Sequence, residues 1–378
     1  MESSEFIRQI QKLYYTDRFQ AALDLVEAHL QSAPDDLRAQ SWKALLLYRL
    51  GDRPAGTRLI RRILERNPQQ EDAVRIRGMF AHEKGDLEGA LRAYEEALRL
   101  DPTDALVCNA RGSLHSSRGD LAAAVSGFNE AIRLDPDFPW AHYNLANLYL
   151  RRGDLDAAVG EYTEAIRLDV DFAAAYQYRG QARARLGERD AALQDYDEAI
   201  RLDPKSAPAY NDRGNLHMTR GELDAAIEDF SAAIELNPRS LLACYNRGLA
   251  ELRKGEPEPA VRDFSRAIRL QPDFAWAYNS RGNAYADLDN LEAAIRDYTE
   301  AVRLDPRFAI AYNNRGNAWA KKDNPGAAIR DYTEAIRLDP QYGLAYYNRG
   351  LVYRKQGNEE AATRDFHEAN VLAEEAKR

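Results

Sequence analysis

Cysteine is nearly absent: Cys108 and Cys244 are the only two in 378 residues, too few for a disulfide framework. Lysine is scarce, nine against 43 arginines, and the net charge is −9 with a pI near 5.4. An acidic chain without a basic face is a poor fit to general nucleic-acid binding, whose phosphate contacts need many more cations. No run approaches the ~18 apolar residues of a membrane span. The opening residues, MESSEFIRQI, lack a basic stretch followed by an apolar one, so no signal peptide is expected and the expected location is the cytoplasm. The six histidines are scattered without metal-ligand spacing, glycines occur singly rather than in a phosphate-cradling loop, and no Gly-x-Ser-x-Gly motif is present. The sequence therefore predicts no catalysis, no metal and no cofactor. Proline is also low, at 15, beside 30% charged residues, which excludes a disordered chain.

What the sequence does contain is one sentence repeated. Pro34, Pro68, Pro102, Pro136, Val170, Pro204, Pro238, Pro272, Pro306 and Pro340 recur at a spacing of 34 without insertion or deletion. Setting that site to position 32 of a repeat gives eleven frames, 3–36, 37–70 and onward to 343–376. Each frame reads as two helices. The first covers about positions 1 to 14 and stops at position 15, which is Gly in eight frames and Asp in three (Asp17, Asp289, Asp323); both types tolerate a left-handed backbone. The second helix ends just before the proline, which cannot continue it. Position 8 is Gly in most frames from Gly78 to Gly350, positions 20 and 27 are Ala, and position 24 is Tyr or Phe. Small residues let helices approach, and a ring fills the space beside them.

This 34-residue pattern resembles the tetratricopeptide repeat family, whose period and signature residues it matches. The resemblance is strong over 71–376 and weaker over 3–70, where Ile10 and Ala44 replace the position-8 Gly. It implies an all-α solenoid of about eleven helix-turn-helix units wound into a right-handed superhelix, with a concave groove of the kind that binds peptides or extended protein segments. Residues 3–70 are expected to form two divergent N-terminal repeats, a cap or docking unit. Residues 71–376 are expected to form nine regular repeats, and 377–378 the end of the last helix.

On the first helix, ~100° per residue places positions 2, 5, 6, 9, 12 and 13 on one arc opposite the glycine. Position 5 holds Asn109, Asn211, Asn279 and Asn313; position 6 holds Asn144, Asn246, Asn314 and Asn348; position 9 holds Asn147, Asn215, Asn283 and Asn317, with Gln181 in the same place. Tyr143, Tyr178, Tyr245 and Tyr347 share the arc, and Trp140 and Trp276 sit at position 2. Helix propensity does not explain a stripe of asparagine. Amides donate and accept, so the stripe is expected either to hydrogen-bond an extended peptide backbone or to bridge neighbouring helices. The position-6 row resembles the asparagine ladder in the repeat arm of O-linked GlcNAc transferases, and is interrupted at Ala110, Tyr178, Asp212 and Ser280. The same arc carries Arg75, Arg151, Arg185, Arg253, Lys321, Arg354 and Lys355 against Asp72, Glu83, Asp212 and Asp287. Its last two frames show cations alone, suited to an acidic segment or simply to the helix C-termini. The lysine-and-asparagine carboxylate clamp of chaperone-binding members is not supported, because no position 5 is lysine ahead of Asn147, Asn215, Asn283 or Asn317.

Arginine at position 7 points toward the core, and position 23 accounts for it. Arg179, Arg213, Arg247, Arg281, Arg315 and Arg349 each share a frame with Asp195, Asp229, Asp263, Asp297, Asp331 or Asp365, whereas Leu145 shares its frame with Glu161 and Arg77 with Ala93. Six Arg–Asp pairs between the two helices of a repeat are expected. The functional expectation is a non-enzymatic scaffold that binds a protein or peptide in its groove. The alternative is an assembly or regulatory subunit, docking on itself or on an enzyme through residues 3–70 or the convex face.

Overall fold

The computed structural model describes residues 3–15 and 18–375. Among these it forms twenty-two α-helices and no strand, from α1 (Ser3–Tyr15) and α2 (Phe19–Ser32) to α21 (Gly343–Lys355) and α22 (Glu359–Glu375). Odd-numbered helices are the first of each repeat and even-numbered helices the second, so the eleven frames each fold as one helical hairpin. The last helix continues through Glu375, past the position where nine of the other ten repeats carry proline; residues 377–378 lie outside the described residues. The chain divides into two compact units, one ending at Leu202 and one starting at Asp203. They hold six and five repeats. Within each unit, consecutive helices pack in chain order and the first helices of neighbouring repeats also touch. The first helices therefore form the inner face of each unit.

Local chemistry sets the helix ends. The glycines at position 15 have φ from 78° to 102°, and Asp289 and Asp323 take the same left-handed turn at 57° and 55°; Asp17 lies outside the described residues. Several second helices start on a side-chain cap, as where Asp86 accepts the Gly89 N–H at 2.8 Å and Asn290 the Ala293 N–H at 3.1 Å. The hairpin closes on the position-8 glycine. A Cβ on Gly282 would stand 2.6 Å from the Tyr298 ring, which is 2% exposed. No larger residue fits without moving a packed ring. The second repeat makes the same approach with the partners exchanged: Ala44 stands at position 8, and Gly56 at position 20 would place a Cβ 2.5 Å from the Ala44 carbonyl.

All six expected Arg–Asp pairs form, with closest approaches of 2.6–2.8 Å. The aspartates are buried, whereas the guanidiniums keep an edge in water. Each arginine does more than the pairing required. Arg281 binds both Asp297 oxygens, donates from Nη1 to Ser265 on the preceding repeat at 3.0 Å, and lies over the Tyr278 ring. Arg247, Arg315 and Arg349 likewise reach Ser231, Thr299 and Thr333. One guanidinium thus ties three helices. Where position 7 is Leu145, Glu161 takes His142 Nδ1 at 2.7 Å instead. Cys108 and Cys244 are free and buried.

In α15 (Leu241–Lys254), Arg247 is shared with Glu251, whose Oε1 lies 3.9 Å from its Nε. The other Glu251 oxygen is buried with no hydrogen-bond partner. Burial pushes this carboxyl up to about 7; nearby Asp263 adds to the shift and Arg247 opposes it.

Removing one side of a clasp should cost unequally. Arg281→Met strands the buried Asp297 carboxylate and should lower stability by about 3–5 kcal/mol. Asp297→Leu leaves an arginine that reaches water and should cost less, and the double replacement should cost less than Arg281→Met; urea denaturation of the four proteins checks this. For Glu251 the folded value lies above the ordinary 4.5. Its contribution is therefore complete below that pH and is lost as pH rises toward about 7. Urea midpoints at about pH 5 and about pH 8 should show that fall in the wild type and a smaller one in Glu251→Gln.

Candidate functional site

The amide stripe lies on the first helices, and the structure separates its positions. Asn144 donates from Nδ2 to Asn109 at 2.9 Å, Asn314 to Asn279 at 3.0 Å and Asn348 to Asn313 at 3.0 Å. Asn246 donates to Asn211 at 3.3 Å and Asn215 at 3.0 Å. A position-6 amide therefore bridges back to position 5 of the preceding repeat. Asn109, Asn279 and Asn313 are only 9%, 4% and 4% exposed. The expectation that Asn279 and Asn313 face a ligand is corrected, because the next first helix covers them, while Asn109 keeps only an edge on an open depression. Position 9 holds its own hairpin: the Tyr162, Tyr298 and Tyr332 hydroxyls donate to Asn147, Asn283 and Asn317 at 2.6–2.9 Å.

The bridging leaves one function of each position-6 amide unused. The Oδ1 atoms of Asn144, Asn246, Asn314 and Asn348 accept no hydrogen bond among the described residues, and these side chains are only half-buried. In the second unit Asn283, Asn314, Asn317 and Asn348 come together with Lys321 around an open depression of about 680 Å³, with Tyr298, Tyr332 and Asp287 also on its wall. In the first unit Asn109, Asn144 and Trp140 line a smaller one of about 390 Å³, opposite Tyr14 and Phe19 of the first repeat.

The aromatics divide in the same way. Tyr143 packs against Trp140, Phe172 and Tyr178 at centroid distances of 4.8–6.0 Å. Burial pushes its hydroxyl up to about 12, so it stays protonated and neutral. Tyr245 bonds Ser280 at 3.2 Å, which explains one break in the position-6 row. Trp276 and Tyr347, by contrast, are 49% and 48% exposed. Trp276 belongs to a row that the sequence reading missed. Leu242, Trp276, Ile310 and Leu344 all occupy position 2 in consecutive repeats, and all are 41–63% exposed. The signal was in the period: position 2 is apolar in every frame from Leu106 onward, and only the tryptophans were singled out.

Several cations are engaged. Arg75 is 3% exposed, held between Asp72 and Asp104 at the wall of the first-unit depression. Arg185 caps the α9 (Pro139–Arg152) C-terminus through the Leu150 carbonyl, Arg354 lies over Phe366, and Lys355 pairs with Asp323 at 2.7 Å. The last pairing corrects the expectation of cations without acids there. Lys321 is exposed at the end of α19 (Ala309–Lys321), with no ion pair among the described residues. Gln181 and Tyr178 are half-buried on the sixth repeat. Among the described residues no cluster of side chains is arranged to hold a metal ion, and no helix is long and apolar enough to cross a membrane.

Sequence models of the tetratricopeptide repeat match residues 43–105, 143–207, 178–240 and 211–275, and a second repeat model of the same family matches 112–153, 282–323 and 326–357. This chain belongs to the tetratricopeptide repeat family. No curated protein matches the chain as a whole at a significant level. Among solved structures, the chain is similar to a tetratricopeptide repeat protein from Parabacteroides merdae at 22% identity and a TM-score of 0.50, over 66% of this chain and 98% of that one. It is similar to the Cut9–Hcn1 structure at 19% identity and 0.53, over 87% and 66%. A third likeness is YrrB, described as a TPR protein with an unusual peptide-binding site, at 26% identity and 0.44, over 49% and 95%. The first two place this tetratricopeptide repeat chain in the same solenoid fold.

The bridge makes a stability claim. Asn314→Ala removes the donor to two carbonyls, one on the buried Asn279, and should cost about 1–3 kcal/mol. Asn314→Asp places an acceptor-only group against the same carbonyls and should cost more at neutral pH. Thermal denaturation of both variants measures the difference.

Proposed function

We propose that this tetratricopeptide repeat protein is a non-enzymatic scaffold whose second unit binds an extended segment of another protein along the first helices of its eighth to eleventh repeats. The observation that carries the reading is the exposed row Leu242, Trp276, Ile310 and Leu344. It runs on the same helices as the open amide acceptors of Asn246, Asn314 and Asn348. Single exposed apolar residues are ordinary, but a periodic row of four is not. Packed helices stand ~8–10 Å apart, and an extended or polyproline chain covers about that distance in three residues. The ligand this suits has an apolar side chain at every third residue. Its backbone N–H groups would donate to the position-6 carbonyls. The exposed Lys321 adds a preference for a carboxylate at that end.

The test replaces the row rather than the amides, because Asn279 and Asn313 hold the repeats together. A Leu242→Ser, Trp276→Ser, Ile310→Ser, Leu344→Ser variant should keep its circular dichroism and melting profile. It should lose the proteins that wild type captures from lysate by about tenfold or more. Partners captured equally by both proteins would exclude this surface.

A further inference from the structure

The seam between α4 (Arg53–Arg66) and α5 (Glu71–Glu83) lacks the clasp that closes the seams from the sixth repeat onward. There the position-7 arginine is held by Asp at position 23 of its own repeat and, for Arg179, Arg247, Arg281, Arg315 and Arg349, by a hydroxyl at position 25 of the one before; the seam after α4–α5 also lacks it, with Arg111, Gly127 and Glu95 at the three positions. At the α4–α5 seam all the partners are changed. Position 23 is Ala93, position 25 of the second repeat is Arg61, and the aromatic at position 24 is replaced by the smaller Ile60. Arg77 finds no acceptor in the seam and turns out to Glu96 at 2.6 Å. What remains is an open cleft of about 500 Å³, floored by Ile60, Leu64, Phe80 and Ala81.

Its rim and flank are basic on a chain whose net charge is −9. Arg61, Arg77 and Lys84 line the cleft with Glu65 and Asp86, and Asp86 is already engaged in capping the next helix. Helix α4 carries five arginines and one glutamate. Arg66 pairs with Asp35 and Arg53 lies over Tyr48, whereas Arg58, Arg61 and Arg62 are exposed and make no ion pair among the described residues. An apolar recess beside unneutralised guanidiniums selects a partner that presents both features.

We propose that this cleft docks an acidic segment of a partner protein, with one bulky apolar side chain seated on Phe80 and Ile60 and flanking carboxylates on Arg61, Lys84 and the α4 arginines. At about 500 Å³ the recess is large enough to take such a side chain. A bilayer would instead need apolar groups that protrude, and a nucleic acid would gain nothing from the apolar floor. The site is independent of the groove in the second unit.

A random peptide display library selected on the full chain tests this. Peptides with Phe, Leu or Trp between Asp or Glu residues should be enriched. Their affinity should fall about tenfold or more both in Arg61→Glu/Lys84→Glu, which removes the charge, and in Ala81→Trp, which fills the recess. It should also fall with added salt and be unchanged in Trp276→Ser/Leu344→Ser. Circular dichroism confirms that each variant is folded. The proposal is overturned if no acidic-apolar peptide is enriched, or if such peptides bind either cleft variant as tightly as wild type. It is also overturned if their loss follows the groove variant, or if phosphatidylserine vesicles rather than peptides bind and depend on Arg61 and Lys84.

Discussion

A ring seated on a glycine sets the distance between the two helices of each repeat, and the remaining architecture depends on that distance. With Tyr298 against Gly282, the arginine at position 7 comes within reach of the aspartate at position 23. A wider hairpin would leave both charges buried without a partner. The aspartates are buried and the guanidiniums meet water only at an edge, so the pair serves register as much as stability. The third arm of five of the six clasps, a hydroxyl on the preceding repeat, turns a contact within a hairpin into one between hairpins. This suits a protein in which a single repeat cannot bury its own apolar face.

The asparagine stripe has two duties that a choice between architecture and binding would miss. Its Nδ2 groups join one first helix to the next, and its position-6 carbonyls stay open. The bridges hold the carbonyls in place, so a ligand meeting them would find acceptors already oriented. The exposed position-2 row runs beside them, with Trp276 resting against Phe308 and the row otherwise open to solvent. Surfaces of that kind, regular and uncovered, are where a scaffold meets its partners.

The departures from the repeat are as informative as the repeat. His142 with Glu161 shows a clasp rebuilt from other residues, and Gly56 against Ala44 shows the close approach preserved with its partners exchanged. At the α4–α5 seam the clasp is not rebuilt across the seam. Arginine replaces the hydroxyl, alanine replaces the aspartate, Arg77 turns out to Glu96, and the seam stays open with Arg61 in no ion pair among the described residues. A compensated change marks a structural requirement, and an uncompensated one marks a place free to take another role.

The sequence alone determined the period, the two helices per frame, the turns at position 15 and the six Arg–Asp pairs. Each of these rests on contacts within one hairpin, where helical geometry and a fixed spacing dictate which side chains meet. That argument stops at the hairpin's edge. Which asparagine of one repeat meets which of the next depends on how successive hairpins are rotated, and no spacing within a frame reports that rotation. Only the tertiary structure decided that Asn109, Asn279 and Asn313 are covered while Leu242, Trp276, Ile310 and Leu344 are not. It alone showed that Lys355 is answered by Asp323 and that one seam in the N-terminal repeats is left unfilled. Exposure belongs to the packing of neighbours, and a helical wheel knows only its own axis.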